Sequence, residues 1–189
     1  MIKILNKKFK PRVKARIRKN KQILNKSIDG FFGWVKGAKL VELKECNTEE
    51  DPVRPELDNE FRTGYGRKIY GVEYHGEIHA VMCFAYTNEI PKSVDELDKL
   101  SQDAYLQSAL RGQTVGKIAI AYTVWSKKKG GGKLIVKEVF KKIKKSNHLN
   151  RLVTLSPLTD MAYKFHNKNG AKLVQVNETT QNFEYEVPK

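Results

Sequence analysis

Cysteine is scarce: Cys46 and Cys83 are the whole complement of a 189-residue chain. Two thiols cannot build a disulfide framework or a cysteine-based zinc site, so nothing here asks for an oxidising compartment. Long apolar runs are also missing. The longest fall far short of the roughly 20 residues that a membrane-spanning helix needs, and no charged-then-apolar leader ends in a small-residue cleavage site. No low-complexity block interrupts the chain. Together these absences predict a soluble, intracellular protein, cytoplasmic unless its N-terminus directs it to an organelle. Length and a hydrophobic content of 40% suit one globular domain with a real core.

Acidic residues are absent from Met1 to Lys26, a stretch that holds eleven Lys and Arg. Of the net charge of +15, only +4 is left for everything downstream, so the basic character is mainly that of an arm, taken here as residues 1–30. Phe9, Val13, Ile17 and Leu24 fall loosely at helical spacing around Pro11. Three readings fit this arm: contact with nucleic acid or an anionic membrane, docking of an acidic protein, and a solvated or targeting leader. Arginines and aromatics do not interleave regularly, and no base-reading module is visible.

Residues 31–189 read as a single mixed α/β domain. Phe31-Phe-Gly-Trp34 opens an apolar segment, and the acid-rich stretch from Glu42 to Glu60, broken by Pro52 and Pro55, is expected to be surface loop. Lys68 to Thr87 predicts a hairpin turning at Tyr74-His-Gly-Glu77, with a second strand buried on both faces. Ser93 and Glu96 predict a capping box for a helix from Val94. A strand to Trp125 meets Ser126-Lys-Lys-Lys-Gly-Gly-Gly-Lys133, followed by a helix with Ile135, Val139 and Ile143 on one stripe and lysines opposite. A strand at Arg151–Leu155, a helix at Thr159–Asn167 stopped by Gly170, and strands at Lys172–Val176 and Phe183–Val187 complete the order.

Glycines at a strand-to-helix junction let backbone amides approach an anion, and the first amides of the helix have no internal partner. Val124, Lys129, Gly130, Gly131, Gly132 and Lys133 are therefore the candidate cofactor-binding set. Other features have plainer readings. His75 and His79 lack a third ligand, so metal binding is not expected. Asp95, Glu96 and Asp98 suit a helix start, Trp34 and Trp125 suit packing, and Cys83 sits in a buried strand.

Two resemblances rest on these residues. Lys127-x-x-Gly130-x-Gly132 after a strand, with Ala162-Tyr-Lys-Phe-His-Asn-Lys-Asn-Gly-Ala171 near the end, resembles the GNAT acyltransferase superfamily, which binds acyl-CoA at a Gln/Arg-x-x-Gly-x-Gly/Ala turn. Lysine replaces the first position of that turn, and His166 stands where the superfamily commonly has tyrosine. A closer resemblance is to malonyl-CoA decarboxylase, whose catalytic domain is GNAT-like. It is carried by Arg67-Lys-Ile-Tyr70, Phe84-Ala-Tyr-Thr-Asn-Glu-Ile-Pro-Lys-Ser93, Val153-Thr-Leu-Ser-Pro157 and Phe165-His-Asn-Lys-Asn-Gly-Ala171.

That resemblance implies a GNAT-like central sheet flanked by helices, with Ser156 and His166 as the catalytic pair. The implied reaction turns a malonyl thioester, on CoA or on an acyl-carrier protein, into the acetyl thioester and CO2. His166 would hydrogen-bond the thioester carbonyl and its enolate, and Ser156 would orient the carboxylate and relay a proton to carbon. No cofactor is implied beyond the CoA moiety of the substrate, and no metal. Only nine residues separate serine from histidine here, where the family has a long insertion; its helical N-terminal domain is missing, and Leu-Thr-Asp-Met follows Pro157. An N-acetyltransferase using acetyl-CoA, and a GNAT-like domain that binds without catalysis, are the other readings.

Overall fold

The computed structural model describes residues 33–186 apart from 35 and 113–115. The chain divides into a unit of residues 1–38 and a unit of residues 39–189, which holds every described strand. The arm, Phe31, Phe32 and Val187 lie outside the described residues.

The sheet begins with β1 (Lys39–Leu43), which the sequence reading did not anticipate, paired antiparallel to β2 (Lys68–Tyr74). His75 and Gly76, with φ of 54° and 80°, join β2 to β3 (Glu77–Thr87). Two positive φ values in a two-residue loop give the twist that a tight hairpin requires. Ala80 to Ala85 of β3 are all buried, as the uncharged run predicted. Antiparallel β4 (Ile118–Ser126) follows β3 in the sheet, and β5 (Arg151–Thr154) lies parallel to β4. β6 (Ser156–Pro157) and β7 (Ala171–Val176) both pair with β8 (Thr180–Tyr185), giving the order β1-β2-β3-β4-β5-β8-β6 with β7 beside β8.

Among the described residues of the unit 39–189, four α-helices accompany the sheet: α1 (Asn59–Thr63), α2 (Val94–Arg111), α3 (Gly131–Lys144) and α4 (Asp160–Lys168). Ser93 caps α2 by accepting from the Glu96 N–H at 3.1 Å, while the Glu96 carboxylate reaches back to the Lys92 amide instead of that of Ser93. Asp98 does more than favour the helix start, because it pairs with the buried Arg67 guanidinium. α3 is the crossover that lets β4 and β5 run parallel. Its buried stripe of Leu134, Ile135, Val136, Val139 and Ile143 lies on the side packed against strands β1 to β5. The core gathers Ile69, Val81, Leu97, Ile120, Tyr122 and Val153, each apolar side chain worth roughly 1.5–3 kcal/mol when fully buried. Gly170, with φ of 86°, ends α4 where expected.

One expectation holds only in part. The stretch from Glu42 to Glu60 is largely irregular and solvent-facing, as expected, but it also holds the end of β1, a 3-10 turn at Thr48–Glu50 and the start of α1, and Asp51 and Arg54 are buried within it. Acids and prolines suggested exposure, but Asp51 is neutralised inside the fold by Arg62, a partner eleven residues away.

Candidate active site

The site opens where β4 parts from β5. The two strands pair from Ile118/Arg151 to Ala121/Thr154, and the Leu155 N–H still donates to the Ala121 carbonyl at 2.9 Å. On the other edge of β4, Ala121 faces Phe84 and Thr123 faces Cys83, leaving Tyr122 as an extra residue. Such a bulge bends its strand. Beyond it β4 runs on to Ser126 without β5, while the chain after β5 turns into β6 and joins β8. Between them lies a cavity of about 600 Å³, with Met82, Val124, Val136, Leu152 and Phe165 among its apolar walls.

Ser156 and His166 meet on that cavity. Ser156 opens β6 and is held by the pairing of β6 with Gln181 of β8. Thr159 caps α4, its hydroxyl accepting from the Ala162 N–H at 3.3 Å, and the short link brings the second turn of the helix back over β6. The Ser156 Oγ and His166 Nε2 are 2.8 Å apart and both residues are buried. Two residues that the sequence reading missed extend the chain of contacts. The Thr154 Oγ1 lies 3.0 Å from the Ser156 Oγ and accepts from the Phe183 N–H at 3.1 Å, and the Tyr185 hydroxyl lies 3.0 Å from the His166 Nδ1. Phe183 stacks on the imidazole at 4.9 Å and 27°, with Phe165 edge-on at 5.1 Å. The ring therefore has little freedom to turn.

Burial sets the charge of this group. Desolvation pulls the His166 pKa down to about 4 and pushes the Tyr185 phenol up, so at neutral pH both are uncharged. Four neutral hydrogen-bonding side chains thus line one end of an apolar hole. They can donate to a ligand oxygen and pass a proton, while the hole disfavours a free carboxylate.

The expected glycine turn lies on the adjoining side. Val124 and Gly132 line the cavity; Lys129, Gly130, Gly131 and Lys133 form the turn and first helical residues next to it, outside its walls. Gly130 takes φ of 86° as the N-cap of α3. Gly131 answers a packing need, since a Cβ there would stand 2.9 Å from the Ser126 Cβ and 3.3 Å from that of Ala80. The amides of Gly132 and Lys133 open the helix without partners one turn back. Lys127 also lines the cavity and pairs with Glu50 at 2.7 Å.

The far wall is made by the acid-rich segment before α1. Glu50, Pro52 and Val53 face the cavity, and the residues between and beyond them are pinned from below. The Asp51 carboxylate accepts from Thr123 at 2.8 Å and Arg62 at 2.9 Å; Arg62 also donates to the Arg54 carbonyl at 2.7 Å and to the Leu57 carbonyl at 2.8 Å. The Arg54 guanidinium donates to the Tyr122 carbonyl, which satisfies the backbone of the bulge. No local pattern announces this, because the partners come from α1 and β4.

No family model matches the chain, and no curated protein matches it in sequence. Solved structures do match its shape. The GNAT-like decarboxylase GphF in complex with isobutyryl-CoA superposes with a TM-score of 0.60 at 9% identity, covering 79% of this chain and 100% of that one. The fold is GNAT-like. The loading GNATL domain of CurA from Lyngbya majuscula gives 0.55 at 12% identity, and an acetyltransferase from Bacillus subtilis in complex with CoA gives 0.53 at 12%; each covers 79% of this chain and 98% of the other. At such identities the likeness is one of fold. In the GNAT-like frame, the bulged β4 with Gly132 and Val136 of α3 forms one side of the cavity, the rest of the glycine turn lying next to it, and the Ser156–His166 pair forms the other.

Proposed function

We propose that this chain decarboxylates a malonyl thioester, carried by CoA or by a carrier protein, using Ser156 and His166. The observation that carries the reading is the 2.8 Å contact between the Ser156 Oγ and a His166 Nε2 held neutral inside an apolar cavity. Loss of CO2 breaks a carbon–carbon bond and leaves its electron pair on the thioester as an enolate. A site for this needs a donor aimed at the thioester oxygen, surroundings that disfavour the carboxylate and a proton for the new carbanion. His166 supplies the donor. Ser156 gives its hydroxyl proton to carbon and is reprotonated from water. One well-placed donor is worth on the order of 10²–10³ in rate. Val124 borders the thioester arm, and the turn at Lys129–Lys133 lies where phosphates would meet amides and lysines. The chemistry asks for no metal or organic cofactor.

Mass spectrometry of the purified chain incubated with malonyl-CoA tests this directly. Acetyl-CoA and CO2 should form without an acceptor, and both Ser156→Ala and His166→Ala should abolish most turnover while the fold persists. A folded His166→Ala variant with unchanged turnover would end the assignment. An N-acetyltransferase is the second reading, favoured by Glu50, a carboxylate on the cavity wall able to take a proton from an amine once released from Lys127. It predicts acetyl transfer only when an amine acceptor is supplied.

A further inference from the structure

α3 carries five lysines against one glutamate, and Lys145 follows as its C-cap. Lys133, Lys137, Lys141 and Lys145 recur every fourth residue, so they stand in one row about 6 Å apart and about 18 Å long. All four are exposed. Lys141 pairs with Glu138 at 2.7 Å; among the described residues, Lys133, Lys137 and Lys145 have no acidic partner. Like charges at this spacing destabilise a helix. Lys133 adds to the cost, because it sits in a first turn that holds no acidic residue, where the macrodipole repels cations. The apolar packing of α3 belongs to its other face, so the row contributes nothing to the core. Anions laid along it would remove both penalties.

The occupant must be extended, since a diphosphate reaches only the first turn of a row about 18 Å long. It must also be brought to the cavity, because the row starts beside Gly132, a cavity-wall residue. The row has no arginine, and the one aromatic of α3, Phe140, is half-buried. Surfaces built for nucleic acid draw on arginine forks and stacking aromatics. A ladder of ammonium point charges instead matches carboxylates spaced every fourth residue on a facing helix. We propose that the lysine row of α3 docks an acidic α-helix of a partner protein. Taken with the proposed function, that partner is the protein presenting the thioester; the docking itself does not depend on that reading.

Fluorescence anisotropy with the full chain decides the matter and needs no turnover. The probes are a labelled helical peptide of alanine and glutamine with glutamate at every fourth position, and a labelled single-stranded RNA of about 20 nucleotides. They are compared on the natural chain and on K137Q/K141Q/K145Q, with circular dichroism confirming the fold. At low salt the triple substitution should weaken peptide binding about tenfold or more and RNA binding less than about twofold. Equal peptide affinity for both proteins, or no peptide binding to either, overturns the proposal. An RNA affinity that falls as far as the peptide's makes the row a nucleic-acid surface instead.

Discussion

The Tyr185 hydroxyl lies 3.0 Å from the His166 Nδ1, so the last strand of the sheet sets the aim of a side chain on α4. Tyr185 pairs with Leu152 of β5 and Ala171 of β7, which ties that aim to the centre of the fold. Replacing it by phenylalanine removes the bond but keeps the ring. Tyr185→Phe should lower kcat about tenfold with little change in KM, the usual scale for a partner that orients a working group. Loss of stability should stay near 1 kcal/mol. Steady-state kinetics beside urea denaturation measure both; a KM effect alone would mean that Tyr185 contacts substrate instead.

The buried imidazole also fixes a pH dependence. In the folded chain His166 stays neutral down to about pH 4, whereas unfolded it takes up a proton near 6.5. Between those values the unfolded state binds more protons, so the contribution to stability is whole above about pH 6.5 and is lost as pH falls toward 4. The loss amounts to about 3 kcal/mol in all. Urea midpoints at pH 7.5, 6 and 5 should show this slope and His166→Gln should flatten it. Turnover per folded molecule should hold level across the same range.

Gly131 and Gly132 are adjacent but should respond differently to alanine. At Gly131 a Cβ meets the Cβ atoms of Ser126 and Ala80 at 2.9 and 3.3 Å, on two strands that cannot yield. Gly131→Ala should cost about 1–3 kcal/mol through overpacking. At Gly132 the nearest atoms, at 3.2 and 3.4 Å, belong to the Phe165 ring, which can shift. Gly132→Ala should stay within about 1 kcal/mol of the natural chain, since alanine favours the helix. Thermal denaturation ranks the two.

Asp51→Ala should be the most damaging of these changes. It leaves the Arg62 guanidinium buried with no carboxylate, at a cost of about 3–5 kcal/mol. It also unpins Thr123 and the wall at Pro52 and Val53, so activity should fall even at temperatures where the variant is folded. Denaturant titration and assay of the same sample separate the two effects.

Much of this is legible in the sequence. Hydrophobic period and capping residues located the hairpin, α2, α3 and α4, because those signals are local. Ser156 and His166 could be named from the short motifs around them, and the structure brings them together. Thr154 and Tyr185 could not, since each is one hydroxyl in a strand and gains meaning only when β8 pairs with β5 and β7. Asp51 was hidden for the same reason: a buried acid is recognisable only with its distant arginine in view. β6, two residues long, is too short to leave a periodic signal.

The extra residue at Tyr122 has a consequence for how such a protein can change. Ala121 and Thr123 already face adjacent residues of β3, Phe84 and Cys83, so removing Tyr122 would leave every later side chain of β4 in its present pairing and on its present face while abolishing the bend. Thr123 would still face Asp51 and Val124 the cavity, but β4 would lose the bend that carries it away from its parallel neighbour. A one-residue deletion thus separates a vessel from a closed sheet. Variation in what the vessel accepts is open to point substitutions along its walls, but its existence hangs on chain length at a single position.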